Sequence, residues 1–212
     1  MPVQIEIVSD VVCPWCFIGK RRLEQALARV QAEVEVVWRP FQLNPGLPEE
    51  GMERELYVQR KFGSAGPGVY ARVTAVGASV GIPFAFERIV RQPNTVAAHQ
   101  LIGLASRGAR QDAMVETLFR GYFLEGADLT RRADLVSLAG QAGLDPAAAQ
   151  ACLEDRASRR TVEDADRQAR ALGVEGVPFF IFDRRLAVSG AQEPEVLVQA
   201  IERAAEHSTD AA

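Results

Sequence analysis

The sequence predicts an α/β fold interrupted by a helical insertion. Three observations carry this expectation. The first 40 residues read as strand, helix, strand. Residues 179–205 read as strand, strand, helix. The stretch between them is rich in turn formers and helical periodicity and poor in strand pattern.

Residues 3–8 alternate apolar and polar before turning apolar, the period of a half-buried strand, and Ser9-Asp10 punctuates the run. From Pro14 to about Val30 the period becomes helical, with Ile18, Leu23, Ala26, Leu27 and Val30 on one face. Pro14 suits the first helical position, where a missing N–H costs nothing. Val34 to Arg39 is a second strand, and the helical crossover makes the two strands parallel.

A different texture opens at Asn44-Pro45-Gly46-Leu47-Pro48. Pro67 opens a helix that Gly81 and Pro83 close. Asn94 or Thr95 caps another that ends near Gly108. Residues 111–125 form a third, carrying Leu118, Phe119, Tyr122 and Phe123, and Asp145-Pro146 starts a fourth. A charged helix near 158–172 stops at Gly173. Strands at 179–182 and 186–189, joined by Asp183-Arg184-Arg185, make an antiparallel hairpin. A last helix runs from Pro194 to about Ala205, ahead of a frayed tail from His207 to Ala212. Residues 1–45 and 156–212 are therefore expected to form the α/β domain, and residues 46–155 the inserted lobe.

Composition bounds the function classes. The chain has 212 residues, 48% apolar and 25% charged, a globular balance that excludes a disordered or collagen-like chain. The formal net charge of −4 offers no basic excess to displace the counterions of a nucleic acid. The basic residues are 22 Arg and only 2 Lys, Lys20 and Lys61. No basic n-region precedes the first strand, and no apolar run approaches the roughly 18 residues of a membrane span, so the expected location is the cytoplasm.

Two of the three cysteines stand as Cys13-Pro14-Trp15-Cys16. In a reducing compartment such a pair reads as catalytic or metal-binding rather than structural. Cys13 falls where the first strand hands over to the first helix. There the leading backbone amides are unpaired and the helix dipole is positive, and both favour a thiolate. Such placement lowers a cysteine pKa from about 8.5 to roughly 3.5–7.5, so Cys13 is expected to be largely ionised at neutral pH. Cys16, one turn on, is expected to point inward and to resolve a mixed disulfide formed at Cys13. That cycle needs no metal and no organic cofactor. The competing reading is half of a zinc site, but zinc takes four ligands and only Cys152, His99 and His207 remain, none in a second close pair.

The segments Ser9-Asp10-Val11-Val12-Cys13-Pro14-Trp15-Cys16-Phe17-Ile18-Gly19, Asn94-Thr95-Val96-Ala97-Ala98-His99, Gly173-Val174-Glu175-Gly176-Val177-Pro178-Phe179-Phe180 and Ser189-Gly190-Ala191-Gln192 together resemble the FrnE-like branch of the DsbA oxidoreductases, in order along nearly the whole chain. The resemblance implies a thioredoxin-like fold, with a central mixed sheet built from βαβ and ββα units and an all-helical insertion. It implies thiol–disulfide exchange with protein thiols or small thiols, with glutathione as a possible co-substrate. It also implies that Val177-Pro178 is a cis bond beside the cysteine pair, with the Val177 backbone free to pair with an extended substrate. Pro14, Trp15, Val177 and Pro178 become candidate substrate-binding residues, joined by Asn94 and His99. DsbA itself has histidine where Trp15 stands, and indole carries no charge to support a thiolate, so the strength and direction of the redox couple stay open.

For several residues a plainer reading stands beside the functional one. His99 reads as a histidine hydrogen-bonded at the lobe interface, and Asn94 as a helix cap. Ser9 and Asp10 read as groups that cap or polarise the first helix. Cys152 reads as buried and inert, and Phe119, Tyr122 and Phe123, like Phe41, Phe84 and Phe86, as core. Two other functions remain in view. Kappa-class glutathione transferases and 2-hydroxychromene-2-carboxylate isomerases resemble the same architecture, but they place serine where Cys13 stands and have no use for a resolving thiol. A non-catalytic binder would use an apolar groove between the lobes.

Overall fold

The structure, a computed structural model, describes residues 2–106 and 110–209. Strand β1 (Val3–Ser9) leads into helix α1 (Pro14–Leu27) and strand β2 (Val34–Pro40). Then come β3 (Met52–Glu53), α2 (Arg54–Phe62), α3 (Gly66–Ser79), β4 (Arg91–Gln92), α4 (Val96–Ser106), α5 (Gln111–Arg120), α6 (Arg132–Gln141), α7 (Pro146–Glu154) and α8 (Arg156–Ala171). The chain closes with β5 (Phe179–Phe182), β6 (Leu186–Ser189) and α9 (Pro194–Thr209). No helix among the described residues is long and apolar enough to cross a membrane.

The main sheet has the order β2-β1-β5-β6. β1 runs parallel to β2 and antiparallel to β5, and β5 pairs antiparallel with β6. This is the thioredoxin-like βαβ plus ββα arrangement. The period of two sets which face each strand residue uses. Val3, Ile5, Ile7, Phe180 and Phe182 point into the main core with α1 and α9. Val8 points the other way, into a smaller cluster with Phe41, Ala169 and Val174.

Helices fill the stretch between β2 and β5, save for one two-stranded ribbon in which Met52 pairs with Gln92 and Glu53 with Arg91. Two residues per strand are too few to show a period, so the sequence reading of an all-helical insertion missed it. The last helix reaches Thr209, four residues past the expected end. Gly108 and residues 210–212, on which a helix end and a frayed tail were expected, lie outside the described residues.

Three kinds of contact hold the inserted helices to α1 and β2. Phe17 of α1 stacks on Phe119 of α5 at 5.0 Å and meets Phe84 edge-on at 6.1 Å. Phe119, Tyr122 and Phe123 are all buried, as their helical spacing suggested. The amide of Gln111 pairs with the edge of β2, accepting from Trp38 N–H at 2.8 Å and donating to Trp38 C=O at 3.2 Å. Lys20 of α1 is buried, yet its ammonium meets Asp112 at 3.1 Å and Glu116 at 3.2 Å, with Glu24 on its own helix. Burial works against the Lys20 charge, but Glu24, Asp112 and Glu116 outweigh it and raise its pKa.

Phe119 joins α5 to both α1 and β2, since it also meets Trp38 at 6.4 Å. Phe119→Ala is expected to cost about 3–5 kcal/mol, the usual range for emptying a buried aromatic site. Urea unfolding followed by circular dichroism measures it, and a loss below 1 kcal/mol would mean that this contact does not join the two parts.

Candidate active site

The site forms where β1 ends. The chain turns through Asp10–Val12, and Cys13 N–H closes the turn on Asp10 C=O at 3.0 Å. Cys13 is the residue before the first turn of α1 (φ −94, ψ 111), and Pro14 takes the first helical position. No side chain caps α1, so neither Ser9 nor Asp10 acts as its cap. The first amides and the positive end of the helix dipole are left at Cys13.

Cys16 lies one turn inward, 1% exposed, and Cys13 itself is only 4% exposed. Both are free thiols. Pro14, Trp15 and Val177 are half-buried beside them. Burial holds the Cys16 thiol well above its ordinary range, and the hydrogen bond and charge of Cys13 raise it further, against smaller lowering contributions from the Ser9 side chain and the Asp10 backbone. The two sulfurs therefore interact, with the inner one keeping its proton.

The second half of the chain meets this turn through Val177-Pro178, a cis peptide. Cys13 Sγ lies 3.6 Å from the Val177 carbonyl. Among the described residues the Val177 N–H has no hydrogen-bond partner. Pro178 is buried against Gly19 of α1. A Cβ on residue 19 would stand 2.9 Å from Pro178 Cγ and 3.3 Å from Phe180 Cζ, so this crossing needs glycine.

Behind the turn lies a feature the sequence reading undervalued. The Asp10 carboxylate is fully buried. Its Oδ2 accepts from Leu43 N–H at 2.7 Å, while Oδ1 has no hydrogen-bond partner and stands 3.5 Å from His99 Nε2. His99 Nε2 is also 3.1 Å from the Phe41 carbonyl. A carbonyl can only accept, so Nε2 carries the proton. His99 is thus the interface histidine of the plainer reading, tying α4 to residues 41–43 and to Asp10. Only the proximity of Asp10 to Cys13 in sequence hinted at this, because its partners are more than 30 residues away.

Asn94 follows its plainer reading as a helix cap. Its Oδ1 accepts from Val96 N–H at 3.0 Å and its Nδ2 donates to Leu47 C=O at 2.7 Å. Both ends of the amide serve the start of α4 and the 44–48 loop, and no described contact joins Asn94 to the cysteines. Cys152 sits apart on α7, half-buried, 3.5 Å from Gln100 C=O. No group of three or more His, Cys, Asp or Glu side chains that could hold a metal occurs among the described residues.

A family model for the DSBA-like thioredoxin domain matches residues 4–202. The chain belongs to that family. A probable DsbA oxidoreductase of Streptomyces coelicolor is 36% identical, with a TM-score of 0.87 over 95% of this chain and 89% of the other. Two more distant structures share the fold. A 2-hydroxychromene-2-carboxylate isomerase is 17% identical, with a TM-score of 0.74 over 99% of each chain. The cytosolic disulfide reductase DsbM of Pseudomonas aeruginosa, solved with GSH, is 19% identical, with a TM-score of 0.65 over 98% of each chain. The DsbA-like family works on thiol and disulfide substrates.

The raised pKa of Cys16 links stability to pH. An unfolded thiol titrates near 8.5, whereas the folded Cys16 keeps its proton above that. The unfolded state then holds fewer protons, so stability falls as pH rises, by up to about 1.4 kcal/mol per pH unit. The reduced protein is expected to lose about 1 kcal/mol more than Cys16→Ala between pH 8.5 and 10. Urea midpoints at the two pH values test this, and parallel slopes would contradict the buried, protonated thiol.

Proposed function

We propose that this chain is a cytoplasmic thiol–disulfide oxidoreductase of the FrnE-like branch, with Cys13 and Cys16 as its redox pair. The observation that carries the reading is the arrangement around Cys13. It stands at the uncapped start of α1, with Cys16 one turn inward and Val177-Pro178 across from it.

In the oxidised state a substrate thiolate attacks the Cys13 sulfur. The Cys13–Cys16 bond breaks, a mixed disulfide forms at Cys13, and Cys16 leaves as a thiolate that takes up a proton. A second substrate thiolate then attacks the substrate sulfur and releases substrate disulfide and reduced Cys13. The reverse sequence reduces a substrate disulfide. The raised pKa of Cys16 suits a group that holds its proton until a mixed disulfide removes the neighbouring charge.

Trp15, Pro14 and Val177 form the rim over which a substrate sulfur reaches Cys13. The unpaired Val177 N–H suits an extended peptide laid alongside it. Substrates are protein thiols or glutathione, the latter found with DsbM. The cycle uses neither metal nor organic cofactor. The isomerase reading has fold likeness alone behind it, and Cys16 has no task there.

Insulin reduction with a thiol reductant tests the proposal. Cys13→Ser is expected to bring turnover to background. Cys16→Ser is expected to accumulate a mixed disulfide that mass spectrometry finds on Cys13. Turnover indifferent to both substitutions would remove the redox assignment.

A further inference from the structure

Helix α2 carries hydrogen-bond donors, one in its first turn and one in its last, without an acid to receive them. Arg54 donates to Tyr70 Oη at 2.6 Å and to Gln92 Oε1, and its guanidinium lies over the Tyr57 and Tyr70 rings at 5.4 and 5.1 Å. Lys61 donates to Tyr57 Oη at 2.7 Å, and Asn44 Nδ2 reaches the same oxygen at 3.3 Å. Among the described residues neither Arg54 nor Lys61 has a carboxylate partner. Arg21, Arg22, Arg39, Arg159 and Arg170 each meet an acid, whereas Arg88, Arg91 and Arg110, like Arg54, donate to uncharged oxygens.

Both phenol oxygens already accept, so each has its own proton left to give. Burial raises the Tyr70 pKa, which keeps that proton in place.

A second observation concerns Gln92, which is 1% exposed. A guanidinium only donates, so the amide oxygen of Gln92 faces Arg54, and it also accepts from Tyr122 Oη–H at 3.2 Å. Gln92 Nε2 is left buried with no partner. Leaving a buried donor unpaired costs about 1–3 kcal/mol, so the missing acceptor belongs beside Gln92 Nε2.

The array connects to Asp10, at the head of the cysteine turn, through residues 43 and 44. Leu43 N–H binds the Asp10 carboxylate, and Asn44 reaches Tyr57. Arg54, Asn44 and Tyr70 are half-buried and Lys61 is exposed, so a ligand group can approach.

We propose that Arg54, Lys61, Tyr57, Tyr70 and Gln92 form a subsite for a carboxylate carried by the thiol or disulfide substrate. The inference rests on the redox reading above and adds a substrate class to it. A carboxylate supplies the acceptors this array lacks, with one oxygen on the guanidinium and the other within reach of the phenols or the ammonium. The chain carries a formal charge of −4, so its long-range field repels an acidic thiol. Preference for one must therefore come from local donors.

Stopped-flow reduction of the oxidised Cys13–Cys16 pair tests this, with tryptophan fluorescence as the readout. Two matched thiol pairs serve as probes: glutathione and its dimethyl ester, and end-blocked Cys-Gly-Glu and Cys-Gly-Gln. Rates are corrected for the thiolate fraction of each probe. The acidic member of at least one pair is expected to react about tenfold faster, and the pair that responds identifies a small thiol or a peptide as the source of the carboxylate. Lys61→Gln, at an exposed position, and Arg54→Gln are expected to abolish the preference while leaving neutral-thiol rates unchanged. Arg54→Lys is expected to restore part of it, and urea midpoints verify that the variants fold. Equal rates within both pairs, or a preference that survives both substitutions, would overturn the subsite. Failure of all four thiols to reduce the disulfide would overturn the redox reading, and the subsite with it.

Discussion

The close crossing of α1 over the Val177-Pro178 loop is the constraint on which the site depends. Gly19 has no Cβ, so Pro178 reaches the helix backbone and the Val177 carbonyl comes to 3.6 Å from Cys13 Sγ. A side chain at residue 19 would lift the loop away and open the contact between the two halves of the chain. The rest of α1 is held from its other side, by Phe119 on Phe17 and by the acids of α5 on Lys20. The cysteine turn is thus clamped from both sides, while its own amides remain uncapped.

The charges near that turn are arranged with equal economy. Asp10 brings a buried carboxylate close to the two cysteines, and a buried charge is costly unless neighbours satisfy it. Leu43 N–H satisfies one oxygen, and His99 stands by the other at 3.5 Å. The carboxylate is thereby directed toward residues 41–43 and α4, while the Asp10 backbone, not its side chain, contacts both cysteines. The polarity that a cap at this position would have cancelled remains with Cys13.

The periods of the sequence made the βαβ and ββα units legible because their strands have four to seven residues and a core on each face. Pro14 and Asp145 marked their helix starts because each acts through local backbone chemistry, and Asp145 does accept from the amides of Ala147 and Ala148. Local signals failed where the partner lies far along the chain. Lys20 reads as a solvated residue until Asp112 and Glu116 fold against it, and Asp10 reads as a helix cap until Leu43 and His99 arrive. The cis bond at Pro178 came from the family resemblance, since the residues around it do not distinguish it from the start of an edge strand. The β3–β4 ribbon is too short to carry any pattern.

Local and long-range electrostatics pull in opposite directions at this surface. A net negative chain slows the encounter with any anionic thiol, and salt at 0.1 M screens that repulsion beyond about 10 Å. Arg54 and Lys61 act at hydrogen-bond distance, where screening matters much less. Such a combination favours discrimination over speed. An acidic substrate meets a barrier on approach and is rewarded only when its carboxylate seats among the donors, which requires its sulfur to lie in the direction of Cys13. A neutral thiol meets no barrier but gains nothing on arrival. The same α2 residues would then select both the charge of the substrate and its orientation over the redox pair.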